Sequence, residues 1–223
     1  MMHMPVNKLT YEQLTADLGS HHVTLVAVSK TKSVQEIKEL YDLGHRDFGE
    51  NYEQELVDKQ SQLPDDIRWH FIGHLQSNKV KKIASFIHLI QSVDSSKLLN
   101  EINKLAEKNN RIINCLLQVH IAEEATKFGL DELELSMLLD ANFSELQELR
   151  NVSIRGLMGM ASFSDDMEKV KTEFRYLKSL FDKFKQKRST FDTLSMGMSA
   201  DYSVAVAEGS TMVRIGSLIF GER

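Results

Sequence analysis

The sequence predicts a single α/β domain, a (β/α)8 TIM-type barrel over residues 1–223, with residues 1–20 as a short helical lead-in. Three observations lead there. Short β-prone runs alternate with amphipathic helical stretches, the pattern of βαβ units on a parallel sheet. The runs are nearly continuous in apolar residues, as strands buried on both faces require. Eight of them can be counted, the number that closes a barrel, whereas an open doubly wound sheet usually stops at about five or six. Only two prolines occur, and no Gly/Ser-rich linker or charge run divides the chain.

The first strand is Thr24 to Ser29, the apolar run TLVAVS. Ser33 and Glu36 then form a capping box for a helix whose inner face is Val34, Ile37, Leu40 and Tyr41. Gly44 stops that helix, and a short strand follows around Arg46 to Phe48. A second helix runs from about Asn51 to Gln60, and the third strand lies near Arg68 to Ile72, with a helix ending near Ala84. Strand four is Phe86 to Ile90, and its helix is capped by Ser95 with Leu98, Leu99, Ile102 and Leu105 inward. Strand five is Ile112 to Val119, followed by helical Glu132 to Leu139 and a further short helix to Leu149. Strand six is Val152 to Leu157. Its helix carries Met167, Val170, Phe174, Leu177, Phe181 and Phe184 at steps of three and four. Strand seven is Phe191 to Leu194, its helix ends at Gly209, and strand eight is Met212 to Ile215.

Composition narrows the function classes. The 223 residues are 42% apolar and 26% charged, a globular rather than a disordered balance. The formal net charge of −5 comes from both signs scattered along the chain, with no basic block of the kind a nucleic-acid footprint needs. The opening MMHMPVNKLTYEQLTADLGS has no apolar core of a signal peptide, and no apolar run is long enough to span a bilayer. Cys115 is the lone cysteine, so no intrachain disulfide forms and the expected compartment is the cytoplasm. Its neighbours Ile112-Ile113-Asn114 and Leu116-Leu117 make it a buried small hydrophobe rather than a nucleophile.

In such barrels the active site lies at the C-terminal strand ends. Those ends carry Lys30, Gly49-Glu50-Asn51, Gly73-His74, Ser92-Val93-Asp94, Met158-Gly159-Met160, Ser195-Met196-Gly197 and Gly216-Ser217. Small and hydroxyl residues cluster after strands seven and eight, where barrels often bind phosphate on backbone N–H groups. Lys30, closing an apolar strand beside them, is the leading candidate: partial desolvation lowers an amine's pKa and frees it to attack a carbonyl. A lysine that snorkels to water fits the same position, and from the residues alone both readings stand. Arg214 lies inside an apolar strand, where a charge is either paired or used. Ser195 to Ser199 reads either as a phosphate loop or as a strand-to-helix turn capped by Ser199. His70 and His74 have i, i+4 spacing, but Phe71-Ile72-Gly73 between them reads as strand end and turn, and no further ligand cluster supports a metal. Glu123-Glu124 reads as a solvated loop, with Lys127 a lesser candidate to reach over the barrel mouth.

Leu25-Val26-Ala27-Val28-Ser29-Lys30-Thr31 resembles the lysine segment of the pyridoxal phosphate homeostasis protein family, relatives of the barrel domain of alanine racemase. The resemblance continues in Asp47 to Tyr52 (DFGENY), Trp69 to Lys79 (WHFIGHLQSNK), Gly156-Leu157-Met158, Leu194 to Ser199 (LSMGMS) and Gly209 to Gly216 (GSTMVRIG). It implies that Lys30 holds pyridoxal 5'-phosphate (PLP) as a Schiff base, the internal aldimine. It implies that Ser195, Gly197, Gly216 and Ser217 surround the phosphate and that Asn51 lines the pocket. Arg214 would face the pyridine nitrogen, where a cation disfavours protonation and weakens the ring as an electron sink. His74 and His120 depart from the family's usual residues and place changes at the pocket rim, and the segment before strand one is abbreviated.

The expected function is therefore cofactor binding and homeostasis without substantial turnover, with no catalytic residue assigned. Delivery to PLP-dependent apo-enzymes is the further partner expectation, alongside a cytoplasmic monomer that binds neither nucleic acid nor membrane. The competing reading is an amino-acid racemase, whose two-base mechanism needs a second acid/base opposite the lysine. In racemases that base comes from an additional β-domain, for which the sequence ending at Arg223 leaves no room; Tyr202 is the lesser internal candidate. A Schiff-base aldolase or phosphosugar isomerase shares Lys30 and the phosphate loops, and is the third reading.

Overall fold

The structure, a computed structural model, describes residues 6–123, 128–139 and 149–221. Eight parallel strands close into a barrel in chain order: β1 (Thr24–Val28), β2 (Asp47–Glu50), β3 (Arg68–Phe71), β4 (Leu89–Val93), β5 (Ile113–Val119), β6 (Val152–Gly159), β7 (Thr193–Ser195) and β8 (Met212–Ile215). β8 returns to pair with β1 from Thr24↔Met212 to Ala27↔Ile215, which sets the loops after these two strands side by side. The described helices are α1 (Lys8–Ser20), α2 (Val34–Asp42), α3 (Glu53–Gln60), α4 (Ser96–Lys108), α5 (Glu132–Leu139), α6 (Met167–Lys185), α7 (Tyr202–Ala207) and α8 (Ser217–Phe220). A 3-10 helix at Ser77–Lys82 joins β3 to β4.

Local chemistry starts these helices where the sequence predicts. The Ser33 hydroxyl accepts from the Glu36 amide at 3.2 Å while Glu36 accepts from the Ser33 amide at 2.7 Å. Ser95 caps α4 by accepting from Leu98, and Asp166 caps α6 by accepting from Glu168 and Lys169. The α6 stripe of Val170, Phe174, Leu177, Phe181 and Phe184 is buried, as its period requires.

Two apolar layers result. The larger lies between the barrel and its helices. The smaller lies inside the barrel itself: Val26, Leu89, Leu116, Met158 and Met212, each buried, with Met160 packed against them. Burying each such side chain contributes about 1.5–3 kcal/mol. This cluster shares the barrel interior with buried polar side chains, among them Gln91, Ser195 and Arg214, and together they make the barrel a packed core.

Several boundaries differ from the sequence reading, for physical reasons. β4 begins three residues later than predicted, because Phe86 and Ile87 continue the 3-10 turn by donating to the Ile83 carbonyl. β4 runs on past the expected end at Ile90 to include Gln91, whose amide finds partners on β3 and β7, and Ser92, read as a loop residue, whose buried hydroxyl has no hydrogen-bond partner among the described residues. β2 and β6 run on to Glu50 and Gly159, and β7 covers Thr193–Ser195 rather than starting at Phe191. The connection after β3 tightens to 3-10 geometry instead of an α-helix. The short helix expected to end at Leu149 lies outside the described residues.

Candidate functional site

Side chains of a strand alternate across the sheet, so Val26 and Val28 point into the barrel and the next position in that series is Lys30. Val26 is part of the interior cluster, and Val28 and Lys30 line a cavity of about 730 Å³ at the C-terminal strand ends. Met160, Ser199, Arg214, Gly216 and Ser217 share its wall. The loops after β1, β6, β7 and β8 thus meet at one place, as closure of β8 onto β1 dictates.

The half-buried Lys30 sits on a clamped backbone. The Lys59 ammonium donates to the Ser29 carbonyl at 2.7 Å, to Glu50 at 2.7 Å and to Glu55 at 2.6 Å. The Ser29 hydroxyl donates to Glu50 at 2.6 Å, and the Thr31 amide donates to Glu55 at 2.5 Å. Thr31 is held at φ +65°, a strained conformation for a β-branched residue that such clamping sustains. Burial pushes the Glu50 carboxyl up, against the opposing pull of Lys59 and Ser29.

Arg214 is 4% exposed. Its guanidinium donates to the Ser195 hydroxyl at 2.6 Å and to the Gly159 carbonyl at 3.0 Å. Burial lowers its pKa to about 10, with Asp201 pulling the other way, so it stays a cation at neutral pH. Gly216 comes so close to β1 that a Cβ there would lie 3.2 Å from the Val28 carbonyl oxygen. Its amide donates to Ser199 at 3.3 Å, tying the β7 and β8 loops together.

The predicted residues therefore divide. Lys30, Arg214, Gly216 and Ser217 meet at the cavity. Ser195, fully buried, stands one layer behind the wall, its hydroxyl engaged with Arg214 and Gln91. Gly197, at φ +97°, lets α7 approach β7, since a Cβ would lie 2.6 Å from that of Ala205. Half-buried Asn51 follows β2 and is not part of the cavity wall; its backbone lies against Gly73. His74 lies on a separate groove beside β3 and β4, where it bonds Asp94 at 3.1 Å and stacks on Phe128. Half-buried His120 follows β5, and its amide donates to the Leu130 carbonyl. Tyr202 opens α7, its Cα against Gly197. Lys127 lies outside the described residues. Buried His70 and half-exposed His74 are parted by the strand end, and among the described residues no group of three or more His, Cys, Asp or Glu side chains is placed to hold a metal ion.

Sequence reasoning missed Lys32, which lines the cavity while donating to the Phe220 carbonyl at 2.9 Å, and the Lys59–Glu50–Glu55 clamp. The signal for the clamp was weak: an i, i+4 Glu55–Lys59 pair on a helix ordinarily reads as solvated.

Residues 10–223 match the family described as "Alanine racemase, N-terminal domain". A pyridoxal phosphate homeostasis protein of Aquifex aeolicus is 41% identical over 210 residues, 93% of this chain and 90% of that protein. The chain belongs to the pyridoxal phosphate homeostasis protein family. Another family member, from Schizosaccharomyces pombe, is 37% identical over 96% of this chain and 90% of its own. Among solved structures, PipY of Synechococcus elongatus with PLP bound superposes with a TM-score of 0.83 at 36% identity, over 95% of this chain and all of that one. Alanine racemase from Bartonella henselae is 17% identical with a TM-score of 0.69, covering 94% of this chain and 56% of that one, a likeness of fold alone.

Proposed function

We propose that this chain binds pyridoxal 5'-phosphate in the cavity at the C-terminal strand ends, attached through the Lys30 amine, and serves cofactor homeostasis. One observation carries the reading: a half-buried primary amine, a buried guanidinium and a glycine-to-serine helix start share one cavity, in a chain of this family. Bound there, the cofactor supplies an electrophilic aldehyde and a conjugated, electron-accepting ring. Lys30 provides the nucleophile, on a backbone that the Lys59–Glu50–Glu55 network keeps in place. The Ser217 and Leu218 amides that open α8 have no acceptor within the helix, whereas those of Ile219 and Phe220 donate to the Gly216 carbonyl; with the Ser217 and Ser199 hydroxyls the first two suit a phosphate. Gly216 keeps that cradle open where a side chain would crowd Val28. Arg214 would face the ring nitrogen, and its positive charge disfavours protonation there. Asn51 is assigned to the β2 side of the pocket, and Ser195 and Gly197 to the support of its phosphate side.

We assign the protein no substantial turnover of its own. Tyr202, the internal candidate for a second base, is not part of the cavity wall. The acceptors we assign are PLP-dependent apo-enzymes, and the working state is a cytoplasmic monomer. The buried lone Cys115 supports a reducing compartment, and no described helix is long and apolar enough to cross a membrane.

The test is direct. Protein incubated with PLP develops a visible absorbance band that borohydride bleaches, and the reduced adduct maps to Lys30. Colourless protein, or an adduct on another lysine, overturns the reading. Lys30→Ala loses the band, and incubation with single amino-acid enantiomers yields no sustained conversion.

A further inference from the structure

A line of polar side chains runs through the barrel interior, from the cavity to the opposite mouth. Arg214, Ser195, Gln91, His70 and Asp47 come from five different strands, and all are under a tenth exposed. The Arg214 guanidinium lies 2.6 Å from the Ser195 hydroxyl, which lies 2.7 Å from the Gln91 amide oxygen. The Gln91 amide nitrogen is 3.1 Å from His70 Nδ1, and His70 Nε2 is 3.0 Å from Asp47. Asp47 also accepts from both arms of Arg68.

The ends of this line fix its direction. A guanidinium can only donate. Burial would raise the Asp47 carboxyl, but the hydrogen bonds of His70 and Arg68 outweigh it and hold the group well below the usual carboxylate range, so Asp47 can only accept. With a single proton on His70, every bond between this pure donor and this pure acceptor points the same way. Arg214 donates to Ser195, Ser195 to Gln91, Gln91 to His70 Nδ1, and His70 Nε2 to Asp47. Turning the Gln91 amide over would set its oxygen against Nδ1, which then requires a second proton on His70. The amide orientation and the His70 proton count are therefore locked together.

We infer that Gln91 and His70 are positioning residues for Arg214, and that Gln91 transmits the protonation state of His70 to the ligand cavity through Ser195. His70 borders a second cavity of about 270 Å³ at the N-terminal mouth. The charged and titratable groups facing it are Asp47 of β2, Arg68 of β3, His88 before β4, with rings 5.5 Å apart, and Arg155 of β6, itself paired with Asp192. The ligand-side half of this inference rests on PLP binding beside Arg214; the His70 half does not.

Nitrogen-15 NMR of labelled histidines, on protein without cofactor at pH 8, reads the first half. His70 shows a protonated Nε2 and a bare Nδ1; the opposite tautomer overturns the relay. In Ser195→Ala the Gln91 amide is free to turn, so His70 takes up its second proton at higher pH, with a gain of roughly threefold to tenfold in affinity, the worth of one hydrogen bond. An unchanged titration in a folded Ser195→Ala protein also overturns it. PLP added to the wild type shifts the His70 resonances, and in Ser195→Ala it does not. Binding with no shift in the wild type refutes the transmission. If PLP fails to bind, the proposed function falls, while the tautomer and titration still judge the relay.

Discussion

Replacing Gly156 by alanine tests how the barrel holds its site together. Gly156 lies in β6 at φ +151°, where the register with β5 slips so that Cys115 faces Ile154 but Leu116 faces Gly156. A Cβ there would lie 1.9 Å from the Thr193 carbonyl oxygen, a backbone atom of the neighbouring strand that cannot rotate away. The φ value costs an L-residue about 1–2 kcal/mol. Overpacking adds about 1–3 kcal/mol. The sum, about 2–5 kcal/mol, lowers the melting temperature by about 4–20 °C for a chain of this size. β7 is the strand pushed aside, and its Ser195 supports Arg214, so PLP affinity falls as well. Circular dichroism melting and an absorbance titration read both effects. Gly19→Ala is the control: a Cβ meets nothing within 4 Å there, in the last turn of α1, and stability rises by about 0.5–1 kcal/mol. A Gly156→Ala protein that melts within a degree of the wild type refutes the close approach of β6 and β7.

Burial lowers His45 and His88 from 6.5 to about 4, so both are neutral in the native state and take up protons on unfolding in mild acid. Their stabilisation is full above pH 6.5 and is lost as pH falls toward 4, about 3 kcal/mol for His45; urea titrations show this slope, and His45→Gln flattens it. Lys59→Met leaves the Glu50 carboxylate buried without its cation and costs about 3–5 kcal/mol in urea unfolding. The double variant with Glu50→Gln recovers much of that loss, and equal stability of single and double variants contradicts the clamp. Cys115 is fully buried, and burial pushes its thiol well above the usual range, so thiol reagents label it at pH 8 only as fast as the protein unfolds. Labelling at the rate of a free thiol rules out that burial.

The barrel was legible in the sequence because each strand carries its own signal, a short apolar run ended by a small or polar residue. The cavity residues were legible for the same reason. Lys30, Arg214, Gly216 and Ser217 lie at or next to strand ends, and a barrel gathers such ends at one mouth. Alternation along β1 even chose the face, since Val26 and Val28 point inward and Lys30 continues their series. Other features depended on partners distant in the chain. The fourth strand reads as ending at Ile90, one residue short of Gln91, and only Ser195, 104 residues away, and His70 give that amide its partners inside the strand. Ser195 reads as a loop ligand in sequence, yet the packing of β4 and β8 gives its hydroxyl to Gln91 and Arg214. A lysine four residues after a glutamate on a helix, as Lys59 is after Glu55, ordinarily reads as solvated, and only the fold brings it to the Ser29 carbonyl. Local periodicity thus determined which residues face the mouth. The tertiary structure alone decided which polar groups satisfy one another inside, because a buried hydrogen bond needs both of its ends and a strand carries only one.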